Sequence, residues 1–202
     1  MNWNERFKDK KYIYGTEPNV FLKDMQGNLS GEVLTIAEGE GRNAVFLAGQ
    51  GLNVTAWDNA ESGLDKVKKL AAKQGVQVNT QLVDLAEAQW QQNKWDGVVN
   101  IFGHFPGEVR LKTLHGVKEA VKPGGYFIAE VYSQYQIPYQ SGGPKELDFL
   151  YRPEDFLDAF SDWRIVHFFV GEVTRHEGDL HKGLSHVETS TRSRHNSETI
   201  LN

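Results

Sequence analysis

Val33-Leu34-Thr35-Ile36-Ala37-Glu38-Gly39-Glu40-Gly41-Arg42-Asn43-Ala44 is a short run in which three kinds of local structure meet. Residues 33–37 are mostly apolar or β-branched, which predicts a buried strand. Residues 43–50 carry apolar side chains on one side, which predicts a helix. Gly39 and Gly41 lie between them, where they allow a tight turn and let a ligand lie against bare backbone. The run therefore predicts a strand, a glycine turn and a helix, with a ligand site at the turn.

Segments on both sides of this run continue the alternation. Strands rich in β-branched and aromatic residues are predicted at residues 33–37, 53–58, 76–83, 95–101 and 126–132. Helices with one apolar face are predicted at residues 43–50, 64–71 and 111–121, and a weak helix at residues 85–92. Strands joined by helical crossovers form a parallel sheet with helices on both faces. The predicted fold class is therefore α/β, a doubly wound, mostly parallel sheet in three αβα layers.

The pattern changes after residue 132. A polar and aromatic loop leads to a short helix at residues 153–160 and then to two strands, residues 163–172 and 184–191, which we expect to pair antiparallel. There is no internal repeat or linker, so we predict one domain over residues 1–202. It begins with an arm, residues 1–30, and ends with a polar tail, residues 192–202, which we expect to be frayed.

Length and composition exclude several classes of function. The chain has 202 residues with 22 Lys+Arg and 27 Asp+Glu, a formal net charge of −5, which leaves no broad basic surface for nucleic acid or an anionic membrane. The absence of cysteine excludes disulfides, thiolate metal sites and cysteine nucleophiles. The N-terminal residues are polar, and no run approaches the roughly 20 apolar residues of a membrane helix. We predict a cytoplasmic protein with neither a nucleic-acid nor a membrane partner.

Acidic residues follow the second and third predicted strands. Asp58 lies about twenty positions after Gly39, where an acid can hold a ribose diol, and Asp84 can accept a hydrogen bond from an adenine amino group. The turn also fits the pyrophosphate loop of a nicotinamide dinucleotide, so a nicotinamide-dependent oxidoreductase is an alternative. However, Glu38 and Glu40 flank the turn and would repel a phosphate. S-adenosylmethionine (SAM) has no phosphate and carries an amino group and a sulfonium. The acidic side chains around the turn therefore favour binding of SAM.

Several segments resemble small class I SAM-dependent methyltransferases of the tellurite-resistance and thiopurine methyltransferase group. They are residues 3–7, 14–19 and 21–22 in the arm, the glycine turn at 37–44, the Lys-Pro-Gly-Gly run at 122–125, and residues 141–144 and 181–185. Two positions depart from the group, since Thr35 stands where an acid is usual and Ala37 where the first glycine is usual. The resemblance implies a Rossmann-like sheet of seven strands, six parallel and the last antiparallel. SAM would lie across the carboxyl ends of the strands with the arm over it.

The turn, the strand ends and the resemblance together indicate which residues bind SAM. In the sheet and its loops these are Ala37, Glu38, Gly39, Gly41, Arg42, Asp58, Asn59, Asp84, Leu85, Ile101 and Phe102. In the arm they are Trp3, Arg6 and Tyr14. We expect Glu38 to take over the methionine amino group from the missing acid.

Methyl transfer from a sulfonium needs an aligned acceptor and exclusion of water, and it needs no protein nucleophile. His104, just after the fourth strand, is the candidate base or acceptor contact; the alternative is a loop histidine bonded to the next helix. Tyr132 and Tyr139 are candidates for a lid over the acceptor, or for ordinary packing. Arg152 is a candidate contact for an anionic acceptor, or a surface residue paired with a nearby acid.

No metal site is predicted. His176, His181 and His186 are five positions apart, a spacing that suits neither one face of a helix nor one face of a strand. The predicted function is SAM-dependent methyl transfer to a small-molecule acceptor, namely a thiol, a heterocycle or a chalcogen oxyanion. Besides the nicotinamide-dependent oxidoreductase, a non-catalytic SAM- or nucleoside-binding regulator is an alternative.

Overall fold

The computed structural model describes residues 2–9 and 11–196, and in these residues seven strands form one sheet. The strands are β1 (Glu32–Ile36), β2 (Asn53–Asp58), β3 (Asn79–Leu82), β4 (Trp95–Ile101), β5 (Val121–Tyr132), β6 (Arg164–Glu177) and β7 (His181–Ser193). The order across the sheet is β3-β2-β1-β4-β5-β7-β6. Strands β1 to β5 pair in parallel, and β7 runs antiparallel to both β5 and β6. The predicted fold class is confirmed, as are the antiparallel pair and the single antiparallel strand.

Helices cover both faces of this sheet and give it three layers. They are α1 (Trp3–Arg6), α2 (Val20–Met25), α3 (Arg42–Gly49), α4 (Glu61–Gln74), α5 (Gly107–Ala120) and α6 (Pro153–Ala159). Neighbouring residues of β4 show the two faces: Val98 packs with Leu114 of α5, whereas Val99 packs with Leu64 of α4. Both clusters are buried, and together they hold the carboxyl ends of β1, β2, β4 and β5 at one edge.

The weak helix predicted for residues 85–92 is absent. Asp84 Oδ1 accepts a hydrogen bond from Ala86 N at 2.9 Å, which makes only a single turn. Leu85 then enters the core on the α5 face, and the Trp90 ring packs where α5 has Gly116. A Cβ at Gly116 would lie 2.2 Å from Trp90 Nε1. Tertiary packing of these apolar side chains therefore overrides the weak helical pattern.

The prediction of a frayed tail is wrong for its first residues. Arg192 and Ser193 belong to β7, and Arg192 is buried with its guanidinium 5.1 Å from the Phe168 ring. Arg194 bonds to the backbone of the α5–β5 junction, including a contact from its Nη1 to Val121 O. Residues 197–202 lie outside the described part of the chain. The last strand is held because it is inserted between β5 and β6.

The arm packs on the same edge of the sheet as the glycine turn. Asn4 Oδ1 accepts a hydrogen bond from Ser62 N at the start of α4 at 2.9 Å. Further along the arm, Ile13 O accepts a hydrogen bond of 2.9 Å from Asp179 N in the turn between β6 and β7. The part of the arm that crosses the site is thus attached to α4 at one end and to the β6–β7 turn at the other. In the described residues, none of the helices has the length and apolar character to cross a bilayer.

Candidate functional site

The glycine turn after β1 is pressed against α4. Gly39 and Gly41 have positive φ angles of 65° and 97°, in the region that favours glycine. A Cβ at Gly41 would lie 2.8 Å from Val67 Cα, so this position requires glycine for packing as well as for conformation. Ala37, which stands where the related group has a glycine, also has a positive φ of 49°. The backbone therefore keeps the glycine geometry even where the sequence does not.

Glu38 caps the helix that follows the turn. Its Oε1 accepts hydrogen bonds from Asn43 N at 3.1 Å and Ala44 N at 3.0 Å, the free N–H groups at the start of α3. Burial raises the pKa of Glu38 to about 7. The positive end of α3, which a phosphate would need, is therefore occupied by a carboxylate of the chain itself.

Glu40 has a different role from Glu38. It is buried, and its Oε1 lies 2.6 Å from Lys66 Nζ, which is also buried. Its Oε2 accepts a hydrogen bond of 3.2 Å from Tyr14 N in the arm. The charge of Glu40 is thus balanced by Lys66. Of the two acids expected to surround the turn, Glu40 ties the arm to α4 while Glu38 faces the helix terminus.

Asp58, at the carboxyl end of β2, holds the turn in place. Its Oδ2 accepts a hydrogen bond of 2.7 Å from Gly39 N, and its Oδ1 accepts one of 2.8 Å from Ala60 N. Burial raises the pKa of Asp58, and these backbone hydrogen bonds oppose the shift. Each carboxylate oxygen keeps a second lone pair for a ligand hydroxyl. Asp58 is therefore placed both to shape the turn and to accept hydrogen bonds at its edge.

The other predicted SAM contacts are only partly brought together. Asn59 and Trp3 line one shallow depression beside the turn. Asp84 is exposed past the end of β3, whereas Leu85 is buried in the core on the α5 face and does not reach the turn. Ile101 is buried at the end of β4, next to Phe102.

The arm lies over the turn through a chain of aromatic rings. Phe7 stacks on Trp3 with ring centroids 5.6 Å apart, and the Arg6 guanidinium lies 5.3 Å from the Trp3 ring. A Cβ at Gly39 would lie 3.3 Å from Phe7 Cζ, so this ring covers the turn directly. The ring of Tyr14 continues the chain, 6.4 Å from Phe7. All three predicted arm residues are thus positioned at the site.

Glu177, which the sequence patterns did not single out, clamps the arm to α3. Its Oε2 lies 2.6 Å from Arg42 Nη1, and both side chains are buried. Its Oε1 accepts hydrogen bonds from Asn19 Nδ2 at 3.1 Å and Val20 N at 3.2 Å. Arg42 is thus engaged with the protein, not directed to a ligand. The sequence did not predict this contact because Glu177 is far along the chain from Asn19 and Arg42. The three residues meet only when the β6–β7 hairpin has folded.

His104 has a structural role in place of the predicted catalytic one. Its Nδ1 lies 2.9 Å from Phe149 O, and its Nε2 accepts a hydrogen bond of 3.2 Å from Tyr132 N. Burial lowers the pKa of His104 to about 4, which keeps the ring neutral. Because both ring nitrogens are bonded to backbone, neither is left for an acceptor. The alternative prediction, a bond from this loop histidine to the next helix, is wrong as well, because its bonds go to Phe149 O and Tyr132 N.

The three candidates for acceptor binding lie in different places. Tyr132 is buried at the end of β5 and stacks on Phe102 with centroids 4.7 Å apart. Tyr139 instead bonds through its hydroxyl to Glu172 of the edge strand β6. Arg152 is exposed at the start of α6, in a shallow groove between α5 and α6. Of the three, the structure brings only Tyr132 to the ring cluster beside the turn.

His181 is a site residue that the spacing argument missed. The even spacing of His176, His181 and His186 does not distinguish it from the other two, but its ring lies 4.3 Å from Phe102 and 4.7 Å from Tyr14. The resemblance of residues 181–185 to the related group was the available signal. Among residues 2–9 and 11–196, no three potential metal-ligating side chains cluster as a metal site.

Comparison with known proteins relates the chain to one family. The family model described as tellurite resistance protein TehB matches residues 3–187. The probable SAM-dependent methyltransferase TehB of Haemophilus influenzae is 27% identical over 154 residues, which cover 75% of this chain and 50% of that protein. A 2-heptyl-1-hydroxyquinolin-4(1H)-one methyltransferase of Mycobacteroides abscessus is 24% identical over 131 residues, covering 63% of this chain and 58% of that protein.

The fold agrees with these sequence matches. The crystal structure of TehB from Haemophilus influenzae superposes with a TM-score of 0.72 and 21% identity, covering 95% of this chain and 67% of that one. The chain spans about half the length of the curated TehB relatives that it matches.

Proposed function

Because the chain belongs to the TehB family of tellurite resistance proteins, we propose that it is a SAM-dependent methyltransferase acting on a small-molecule acceptor. The donor lies across the carboxyl ends of β1, β2 and β4, under the arm. The acceptor is a thiol, a heterocycle or a chalcogen oxyanion.

The placement of Glu38 carries this proposal. A dinucleotide pyrophosphate in a glycine turn needs the free N–H groups at the following helix terminus. Here those of Asn43 and Ala44 are taken by Glu38 Oε1. A diphosphate would have to displace the Glu38 side chain from the helix terminus, whereas a bound ammonium or sulfonium favours the ionised form of Glu38 and is attracted to it. The site therefore favours a cationic donor over a nicotinamide dinucleotide.

The geometry of the turn supports the following roles for the residues that would hold SAM. Asp58 accepts the ribose hydroxyls, Glu38 faces the methionine amino group, and Phe102 forms an apolar wall. When bound, SAM supplies an electrophilic methyl group: a lone pair of the acceptor forms the new bond, and the carbon–sulfur electron pair stays on sulfur. The arm excludes water from this region, with Phe7 over the turn and Tyr14 over His181.

Calorimetric titration with SAM, S-adenosylhomocysteine and NAD tests the donor assignment. We expect both adenosyl ligands to bind and NAD to give no signal. Tight NAD binding with no SAM signal would reject the proposal in favour of the oxidoreductase. Release of S-adenosylhomocysteine with a panel of thiols, heterocycles and oxyanions then tests for an enzyme. Silence across the panel despite SAM binding would favour the non-catalytic regulator.

Asp58→Asn tests the ribose contact. The amide keeps the size of the side chain, but it replaces one carboxylate oxygen and removes the charge. We expect SAM affinity to fall by about 1–3 kcal/mol, the range for a hydrogen bond to a charged group. Asp65→Asn is the matched control and should leave SAM affinity unchanged, since Asp65 is exposed on α4 and is not a predicted SAM contact. Unchanged affinity in Asp58→Asn would remove the ribose assignment.

A further inference from the structure

Lys66 is a buried lysine on a helix whose other lysines face solvent. Lys68, Lys69 and Lys73 of α4 are exposed, whereas Lys66 is only 6% exposed. Lysine is almost never fully buried unless its charge is paired, and here the Nζ atom lies 2.6 Å from Oε1 of the buried Glu40. The ammonium of Lys66 is therefore held away from water by specific contacts inside the protein.

This ion pair holds the middle of the arm. Lys66 Nζ donates a hydrogen bond of 2.7 Å to Lys11 O, and Lys66 O accepts one of 3.0 Å from Tyr12 Oη. The Tyr12 ring also lies 5.3 Å from Lys66 Nζ, within the range of a cation–π contact. From the other side of the pair, Glu40 Oε2 accepts a hydrogen bond of 3.2 Å from Tyr14 N. We call this pair and its bonds to the arm the clasp.

The clasp is built into the glycine turn itself. Glu40 stands between Gly39 and Gly41, the two glycines of the turn. Lys66 directly precedes Val67, the residue of α4 against which Gly41 is packed, since a Cβ at Gly41 would lie 2.8 Å from Val67 Cα. The arm is therefore fastened to the part of the molecule that is the proposed donor site.

The arm covers the turn in this conformation. Phe7 is only 3% exposed, and its ring would be 3.3 Å from a Cβ at Gly39 and 3.0 Å from a Cβ at Gly63. The ring thus rests on the backbone of the turn and of α4, so SAM reaches the turn only when this part of the arm lifts. At this end the arm is attached by uncharged hydrogen bonds between Asn4 and Ser62. The ionic attachment is the clasp, further along the arm.

We propose that Lys66 is a positioning residue, which holds the arm closed over the bound donor and thereby sets how long SAM stays bound. This inference rests on the proposed function and gives a role to a residue outside the predicted donor contacts. A buried ion pair adds little net stability compared with apolar side chains of the same volume, but it is screened much less by salt than an exposed pair. Variants of one binding site differ mostly in dissociation rate, so the clasp should act on the release of SAM.

The dissociation rate of SAM tests this inference. Radiolabelled SAM bound to the protein is chased with excess S-adenosylhomocysteine, and the loss of bound label is followed in time. Lys66→Met removes the ammonium and keeps the length of the side chain, so dissociation should become about tenfold faster, the effect of losing a hydrogen bond to a charged group. The association rate should change much less. Tyr12→Phe removes one uncharged bond of the clasp and should speed dissociation about two- to fivefold.

Arg110→Met is the matched control for Lys66→Met. Arg110 of α5 forms a buried ion pair with Asp155 of α6, and their side chains are 6% and 3% exposed, compared with 8% and 2% for Lys66 and Glu40. This pair lies on the face of the sheet opposite α4 and the arm. Both substitutions leave a buried carboxylate without its cation, so both should lower stability against urea. Only Lys66→Met should speed the release of SAM, and the rate in Arg110→Met should stay within about twofold of the unmodified protein.

Dissociation from Lys66→Met that is no faster than from Arg110→Met would overturn the inference, because loss of stability alone would then explain the effect. Should Lys66→Met fail to fold, Tyr12→Phe and the double variant Lys66→Met/Glu40→Gln, which removes both buried charges, take its place. Unchanged dissociation in those two variants would equally overturn the inference and leave the methyltransferase in place. Absence of SAM binding in the unmodified protein would instead reject the proposed function itself.

Discussion

Ala37 carries a conformation that glycine would adopt more easily. Its φ is 49°, where a Cβ crowds the backbone at a cost of about 1–2 kcal/mol. Glycine removes that strain but is more flexible in the unfolded chain, which offsets part of the gain. Ala37→Gly should therefore raise the free energy of unfolding by up to about 1 kcal/mol. Urea unfolding measures this change.

Ala48→Gly is the matched substitution in an ordinary conformation. Ala48 lies in the last turn of α3, so glycine there should lower stability by up to about 1 kcal/mol. The two substitutions should thus have opposite signs. A loss of stability in Ala37→Gly of the same size as in Ala48→Gly would show that the turn does not strain Ala37.

Glu188 provides a pH-dependent test of a buried acid. It is 0% exposed on β7, and neither carboxylate oxygen has a hydrogen-bond partner. Burial, and then the charges of Asp155 and Glu154, raise the pKa of Glu188 to about 8, against the opposing effect of Arg110. The folded state therefore holds a proton that the unfolded chain releases near pH 4.5. This contribution to stability is full below that pH and is lost as the pH rises to about 8.

Glu188→Gln should remove this pH dependence. Between pH 5 and 8, the unfolding free energy of the unmodified protein should fall relative to the variant, with a slope approaching about 1.4 kcal/mol per pH unit. Urea unfolding at several pH values measures the difference. Glu87→Gln, an exposed control, should run parallel to the unmodified protein. Parallel profiles for Glu188→Gln as well would mean that Glu188 is ionised in the fold.

The β6–β7 hairpin contacts the arm through a buried carboxylate, Glu177, which also pairs with Arg42 of α3, and through an exposed ion pair between Asp179 and Lys11, so the two contacts can be compared at the scale of elements. Glu177→Gln leaves the buried Arg42 charge without its carboxylate partner. Breaking a buried pair on one side typically costs about 3–5 kcal/mol, so we expect a large loss of stability. Release of the arm should also speed trypsin cleavage after Lys11 and Lys23.

Asp179→Asn is the control in the same hairpin. Its pair with Lys11 is exposed, with side chains 48% and 67% accessible. Exposed pairs contribute little, so stability and cleavage should stay unchanged. Equal effects of the two substitutions would mean that the arm is not held by the Glu177 cluster.

Element types could be predicted where the apolar pattern and packing agree. β1, β2, β4 and α3 to α5 follow their predicted segments because each buries the face that its pattern marks. The segment at residues 85–92 failed because Leu85 and Trp90 reach the core without helix formation. β7 was predicted as a strand, but its sequence did not indicate that it is buried between β5 and β6. The reason is that Thr189, Ser190 and Thr191 are polar and nevertheless buried.

The candidate site could be predicted less fully than the fold. The turn, Asp58 and the arm follow from local motifs. In contrast, the role of His104 depends on hydrogen bonds to Phe149 O and Tyr132 N, and that of His181 on rings far away in sequence. Such contacts arise only when the strands are assembled. A single sequence marks these histidines without showing which contacts each of them makes in the folded chain.

Ligand binding should stabilise the molecule as a whole, because the proposed donor site joins β1, β2, β4 and the arm. S-adenosylhomocysteine at about 100 times its Kd should add about 2.7 kcal/mol. For a domain of this size that corresponds to a rise in Tm of about 5–10 °C. Thermal unfolding measured with and without the ligand checks this. A comparable rise with NAD and none with S-adenosylhomocysteine would contradict the donor assignment.

The sheet order β3-β2-β1-β4-β5-β7-β6 also bears on how the chain is made. During synthesis on a ribosome, β6 emerges before β7, yet its only strand partner in the described sheet is β7. Until β7 emerges, β6 has no strand to pair with and the edge of β5 stays open. A messenger RNA truncated within the region that encodes β7 would therefore yield a product in which the edges of β5 and β6 are unpaired and the arm is not anchored. We expect proteolytic quality control to remove such a product.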